Sequence, residues 1–210
     1  GDDLSGLILD VYRVGLPEAG PARTIVVAQA HTAGIDRILP NLLQAIEAVA
    51  KPSGVVLRND VSHRKLEGLP IDEPKVLGKV DPDGEWIRVR SADSAAPADA
   101  ATIFRVDLVR GQKTGFFLDQ AENTRQLADL VGRALIAKKR NRPVRILDLC
   151  CYVGQWSTQI ATALRARGIA TEALLVDASA RALGFAKQNV ERAGGKAETF
   201  EADVLADLPQ

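Results

Sequence analysis

The chain has 210 residues, 46% hydrophobic and 26% charged, with a formal net charge of +0. That balance suits one large globular domain or two small ones and excludes bulk electrostatic attraction to nucleic acid or membrane as the organising force. No run of about 18 apolar residues is available to span a bilayer, the acidic, polar start is no signal peptide, and 4% aromatic residues rule out a broad base-stacking platform.

Residues 7–12 read as a strand, and 24–28 as a second, β-branched one. Two glycines and two prolines in 15–21 make the turn between them. Ile35, Ile38, Leu39, Leu42, Leu43, Ile46 and Val49 have helical spacing, and Lys51 and Pro52 stop that helix. A third strand covers 55–58. Residues 59–84 are loop-rich and end in the turn signal Pro82-Asp83-Gly84. Alternation predicts strands at 85–90 and 102–109, separated by a mobile loop over 91–101. The first half is therefore α+β, with one main helix covering a sheet face.

Residues 110–115 read as a turn and 116–119 as an apolar return strand, together a β-hairpin joining the halves. Asn123 is the expected cap of the next helix, with Leu127, Leu130, Val131, Ala134 and Leu135 on its inner face. Beyond it the pattern becomes βαβαβ: strand 144–148, helix near 155–167, strand 173–177, helix near 179–193, strand 197–202. A parallel sheet is the expected solution. The domains divide as 1–110 and 111–210. Cys150 and Cys151 are adjacent, which suits neither a bridge nor a zinc site; they read as small buried residues in a reducing, cytoplasmic setting. No metal site is expected. His31 stands alone and reads as structural or solvated.

Asp148, Asp177 and Asp203 each fall at the tip of one of the three successive strands of the second half. In open α/β sheets, ligands bind at those carboxyl ends. The turn after Asp148 lacks Gly-x-Gly-x-x-Gly and offers only Gly154 before Gln155 and Trp156, a poor cradle for pyrophosphate. Asp177 stands where an acid accepts ribose hydroxyls, Asp203 where one accepts from an exocyclic amine, and Asp148 where one holds a cationic amine. Ammonium, ribose diol and adenine amine in a row describe S-adenosylmethionine better than a dinucleotide. Taken singly, each acid also reads as a helix cap or a solvated loop residue.

The run Gly111-Gln112-Lys113-Thr114-Gly115-Phe116-Phe117-Leu118-Asp119-Gln120, followed by Leu147-Asp148-Leu149-Cys150-Cys151-Tyr152-Val153-Gly154, resembles the class I S-adenosylmethionine-dependent methyltransferases that make 5-methylcytosine in large-subunit ribosomal RNA. The opening residues 6–12 resemble the start of that family's central α+β domain, so nearly the whole chain is covered. The resemblance implies an α+β domain joined by a hairpin to the first half of a Rossmann-like sheet, truncated after strand three. It implies that Asp148, Tyr152 and Gly154 surround the methionine end. Asp177 binds the ribose with Ala178 against adenine, and Asp203 serves the adenine side with Val204 beside it. Thr114, Phe116 and Asp119 lie on a segment that closes over the methionine portion. Ribosomal RNA is the implied partner.

Two departures stand out: Gln155 where the family has a second glycine, narrowing the pocket floor, and Ala121 where it has arginine. The family's nucleophilic cysteine lies on a later strand, so no catalytic residue is assigned and the chain reads as an internal fragment. On that reading residues 1–210 alone transfer no methyl group, hold the cofactor weakly or not at all, and self-associate through the uncovered edge of strand 144–148 or are poorly stable. Two other functions fit the same features: a non-catalytic module that binds RNA or cofactor, and a small-molecule methyltransferase. Lys138, Lys139, Arg140, Arg142 and Arg145 form a basic cluster that suits RNA phosphate or, equally, a solvated helix end.

Overall fold

The computed structural model describes residues 4–92, 97, 100–137 and 142–207. The expected loop over 91–101 falls largely outside them, as do Lys138, Lys139 and Arg140 of the basic cluster. The chain forms two compact units, Gly1–Ile87 with Asp107–Phe116, and Arg88–Val106 with Phe117–Gln210.

In the first unit, β1 (Leu7–Val14) and β2 (Arg23–Ala30) pair antiparallel along their whole length, from Leu7↔Ala30 to Val14↔Arg23. Helix α1 (Ala33–Ala50) then crosses over to β3 (Gly54–Leu57), which pairs parallel with β2. The helix begins where Thr32 Oγ1 accepts from the Ile35 N–H at 3.4 Å. It ends on Lys51, held in the left-handed region at φ 44°. Ile46, with Leu39 and Leu43, packs on Val26, Ala28, Val55 and Leu57. Strand β4 (Lys75–Gly78) lies antiparallel to β3 inside the stretch read as loop. All four of its residues are exposed, so an edge strand of this kind leaves no burial pattern in the sequence. Val14 also pairs with Ile87 of β5 (Glu85–Arg90).

Residues 107–117 form no strand, so the expected hairpin is replaced by a run of turns and a 3-10 helix at Leu118–Gln120. The reasons are local. Asp107 Oδ1 accepts the N–H groups of Val109 and Arg110 at 2.9 and 2.8 Å, which bends the chain at once. Gly115, at φ 108°, approaches the Asp107 carbonyl so closely that a Cβ there would lie 2.8 Å from its oxygen. Thr114 turns inward within the same unit, its hydroxyl donating to Asp10 and sharing a 2.9 Å bond with Tyr12.

The second unit contains the end of β5, β6 (Ala101–Val106), α2 (Ala121–Ala137), β7 (Val144–Leu149), α3 (Gln155–Arg165), β8 (Thr171–Asp177), α4 (Ala180–Arg192) and β9 (Lys196–Glu201). The last three strands form a parallel sheet in the order β7-β8-β9. This is the expected βαβαβ run, and the mixed α/β architecture is consistent with a methyltransferase-like fold. Ala173 and Leu175 face Leu183, Ala186 and Val190 of α4, while Val144 meets Ile160, Ala163 and Leu164 of α3. The opposite face of the sheet carries Leu147, Leu174 and Phe200, all exposed.

Helix α2 corrects two expectations. It starts at Ala121 directly from the 3-10 turn, so Asn123 lies inside it and donates to Gln120 Oε1 at 3.2 Å rather than capping. Its inner face is Thr124, Ala128, Val131 and Leu135; Leu127, Leu130 and Ala134 are exposed. Small Ala128 and polar Thr124 face inward because α3 packs close there.

Candidate functional site

Strand β7 delivers its acid one residue before its end, and the chain then turns through Cys150, Tyr152 and Gly154 at φ 57°, 50° and 70°. Two non-glycine residues in the left-handed region each cost about 1–3 kcal/mol and persist only where surrounding bonds impose them. Those bonds are present. The Cys151 N–H donates to the Val176 carbonyl at 2.9 Å, the Tyr152 N–H to Asp177 Oδ2 at 2.7 Å, and the Gly154 N–H to the Cys151 carbonyl at 2.7 Å. Asn189 of α4, fully buried, donates to the Val153 carbonyl at 2.9 Å. It also exchanges bonds with both backbone groups of Arg105 on β6. The turn is thereby tied to β8, α4 and β6.

The acids follow from strand alternation. Asp148 and Asp177 project from the same face of the sheet as Leu175, at the carboxyl ends of adjacent parallel strands. Asp148 Oδ2 accepts the Ser157 hydroxyl at 2.6 Å and the Ser157 N–H at 3.3 Å. Burial holds the Asp148 carboxyl above its ordinary range; the Ser157 bonds oppose this and the charge of Asp177 adds to it. Asp177 is buried, with its second oxygen accepting the Ser179 N–H at 2.9 Å. Burial, then the charges of Asp148 and Asp177, push the Cys151 thiol far above the usual range, so it stays protonated at neutral pH.

Beside this turn is a cavity of about 240 Å³, lined by Phe117, Gln120, Cys150, Cys151, Tyr152, Gln155 and Trp156. The Phe117 ring stands edge-on to Tyr152, centroids 5.5 Å apart at 84°. A larger hollow, about 780 Å³, lies at the other end of the strands, where Arg145, Glu172, Lys196 and Glu198 enter them. Ligands of open parallel sheets bind at the carboxyl ends, so the smaller cavity, lined by the turn that Asp177 bonds, is the candidate site.

Of the residues singled out in the sequence, Asp148, Tyr152, Gly154 and Asp177 meet at this rim. Ala178 follows on the exposed side. Asp203 lies two residues past β9 on the same rim, exposed, its Oδ1 accepting the N–H groups of Leu205 and Ala206, with Val204 half-buried beside it. Asp119 is exposed on the 3-10 turn. Thr114 and Phe116 belong to the first unit, Thr114 engaged by Asp10 and Tyr12 and Phe116 fully buried. Sequence reasoning missed Ser157, Ser179 and Asn189. For the two serines a signal existed: after a strand-end acid, Ser157 stands in the first turn of α3 and Ser179 caps α4.

The set of acceptors fits a ligand with a cationic amine and vicinal hydroxyls. Buried Asp177 and half-buried Asp148 keep lone pairs beyond the bonds they accept. It does not fit a pyrophosphate: a Cβ on Gly154 would lie 3.1 Å from Ala186 Cβ, so that glycine serves the packing of α4 rather than a phosphate approach. Among the described residues, no three His, Cys, Asp or Glu side chains are grouped to hold a metal ion, and no helix is long and apolar enough to cross a membrane.

Comparison with known proteins adds to the geometry. No family profile matches the chain. The chain is similar to the ribosomal RNA large subunit methyltransferase I of Serratia proteamaculans, 30% identical over 192 residues that cover 87% of this chain and 42% of the relative. It is 30% identical over 194 residues to the protein of that name from Tolumonas auensis, covering 89% of this chain and 43% of the relative. With that of Pseudoalteromonas atlantica it shares 31% identity over 210 residues, 99% of this chain and 44% of the relative. The chain thus spans less than half the length of the curated relatives it matches.

Proposed function

We propose that this chain carries the S-adenosylmethionine-binding part of a cytoplasmic ribosomal RNA methyltransferase whose acceptor is carbon-5 of a cytosine. The observation that carries the reading is the rim of carboxylates on adjacent parallel strands beside a strained, multiply bonded turn. The named relatives supply the reaction class and the RNA. In this reading Asp148 and the Tyr152–Gly154 turn hold the methionine end, Asp177 accepts the ribose hydroxyls with Ala178 against the adenine, and Asp203 and Val204 flank the adenine amine. The bound cofactor supplies an electrophilic methyl group. The residues around it hold its charge, orient it and exclude water.

Methylation at carbon-5 of a pyrimidine needs a thiolate to add at carbon-6 and a base to remove the carbon-5 proton. Cys151 is buried and protonated, and Cys150 lies exposed in the cofactor turn, so neither is assigned that role. Residues 1–210 alone are therefore expected to bind cofactor without transferring its methyl group.

The test is a titration of the ¹⁵N-labelled chain with S-adenosylmethionine, S-adenosylhomocysteine and NAD. Saturable shifts at Tyr152, Gly154 and Asp177 with the first two and none with NAD are expected. Binding of NAD at these residues, or shifts confined elsewhere, refutes the reading. Incubation with radiolabelled cofactor and ribosomal RNA tests the second statement; turnover overturns it.

A further inference from the structure

Gln155 stands at the first position of α3, where the family pattern has glycine, and it is almost wholly buried. Its amide nitrogen donates to the Phe117 carbonyl at 3.0 Å. That carbonyl also accepts the Gln120 N–H at 3.1 Å, so one oxygen joins the 3-10 turn to the start of the cofactor helix. A carbonyl only accepts, which fixes the orientation of the Gln155 carboxamide: nitrogen toward Phe117, oxygen away from it. The oxygen bonds no described residue. Gln155 lines the same cavity as Tyr152 and Cys150.

Resting on the cofactor reading above, we propose that Gln155 is a positioning and specificity residue for the amino-acid end of the ligand. It does more than narrow the floor where glycine would leave space. Its donor holds the Phe117–Gln120 wall of the cavity in place, and the orientation this imposes presents its amide oxygen as a neutral acceptor for the ligand's ammonium group. Asp148, the charged acceptor at this end, already receives two bonds from Ser157 on one of its oxygens. An acceptor in the cavity lining adds to the recognition of a group with three N–H donors.

The experiment compares wild type with Gln155→Ala by ¹⁵N titration against three ligands. These are S-adenosylmethionine, S-adenosylhomocysteine, and 5′-methylthioadenosine, which lacks the amino-acid portion. Loss of one buried hydrogen bond to a charged group corresponds to about tenfold weaker binding of the first two, with 5′-methylthioadenosine within about twofold of wild type. In the free protein, hydrogen exchange at the Gln120 amide rises by about tenfold as its shared carbonyl loosens. Gln155→Glu keeps an acceptor and loses the donor: exchange at Gln120 rises while S-adenosylmethionine binding weakens less than in Gln155→Ala. It also serves should Gln155→Ala not fold. Equal weakening for all three ligands, no weakening, or unchanged exchange at Gln120 overturns the assignment. A wild type that binds none of the three sinks the cofactor reading itself; a wild type that binds all three, with Gln155→Ala indistinguishable from it, sinks only the role given to Gln155.

Discussion

Asp177 is the residue on which fold and site depend together, and its replacement by alanine tests both. The carboxylate accepts two backbone N–H groups, Tyr152 at 2.7 Å and Ser179 at 2.9 Å. Hydrogen bonds to a charged group contribute about 1.5–3 kcal/mol each when the orphaned partner stays buried, and less when water can replace the acceptor. Tyr152 is buried, so the full cost applies there. Ser179 is exposed, so water recovers part of the second bond. Relief of the repulsion between Asp177 and Asp148 returns a fraction. The net expectation for Asp177→Ala is about 2–4 kcal/mol of destabilisation, confined to the second unit. Asp177→Asn keeps one acceptor for Tyr152 but turns an amide donor toward the Ser179 N–H, so its loss falls between alanine and wild type. Urea unfolding followed by Trp156 fluorescence, in a Trp86→Phe background so that the signal comes from the second unit, reads the difference. With a urea dependence of about 1–3 kcal/mol per molar, the midpoint should fall by about 1–2 M for alanine. A shift under about 0.3 M, or identical shifts for alanine and asparagine, would refute the argument that this carboxylate holds the turn.

Asp148→Asn tests the raised carboxyl: a folded-state pKa above the unfolded one means the native state binds the proton more tightly, so wild-type stability from this group is lost as pH rises from about 4 through the raised value. The asparagine variant should therefore gain on wild type across that window and keep that gain at neutral pH; parallel stability curves from pH 3 to 8 would contradict it. Gly154→Ala places a Cβ 3.1 and 3.2 Å from Ala186 at a backbone φ of 70° and should cost about 1–3 kcal/mol, seen as a lowered midpoint that Ala186→Gly restores only in part because the Ala186 Cα remains. Asn189→Ala removes its bonds to three backbone groups, a buried one on Val153 and two part-buried ones on Arg105; about 2–4 kcal/mol and faster exchange at the Arg105 amide are expected, and wild-type exchange there would be the contrary result. For strand β7, outermost in its sheet with Leu147 exposed, light scattering should show mass rising with concentration and falling back with Leu147→Lys; a concentration-independent monomer mass in wild type ends that idea.

The second half of the molecule was legible in the sequence because two physical signals agree there. Apolar runs such as 173–177 end in acids, and the helices between them carry apolar residues at helical spacing, which leaves a parallel sheet as the solution. The rim of carboxylates follows from the same pattern. What escaped depends on information the local sequence does not hold. Residues 108–109 and 116–117 are apolar enough to belong to strands, yet Asp107, Thr114 and Gly115 around them spend their bonding on turns and on β1. Strand β4 is exposed throughout and has no pattern to read. The inner face of α2 is set by how closely α3 approaches, which favours Thr124 and Ala128 over the larger Leu127 and Leu130. Gln159 is a like case: a polar residue in an amphipathic helix, buried because it bonds Ala92, Thr102 and the Arg90 carbonyl at the ends of β5 and β6.

The turn between β7 and α3 joins these threads. Two strained residues there cost together about 2–6 kcal/mol, a large share of what a domain of this size has to spare. Asp177, Asn189 and the Val176 carbonyl each contribute a bond that offsets part of that cost. A turn needed only to connect strand to helix could relax into ordinary backbone regions and dispense with all three. Strain held by this many bonds is the observation that supports the ligand-binding role proposed for the turn. The bonds that retain it come from β8 and α4, so the geometry at Tyr152 is set by the packing of the whole sheet layer. A variant that loosens α4 should therefore weaken ligand binding at a rim it never touches.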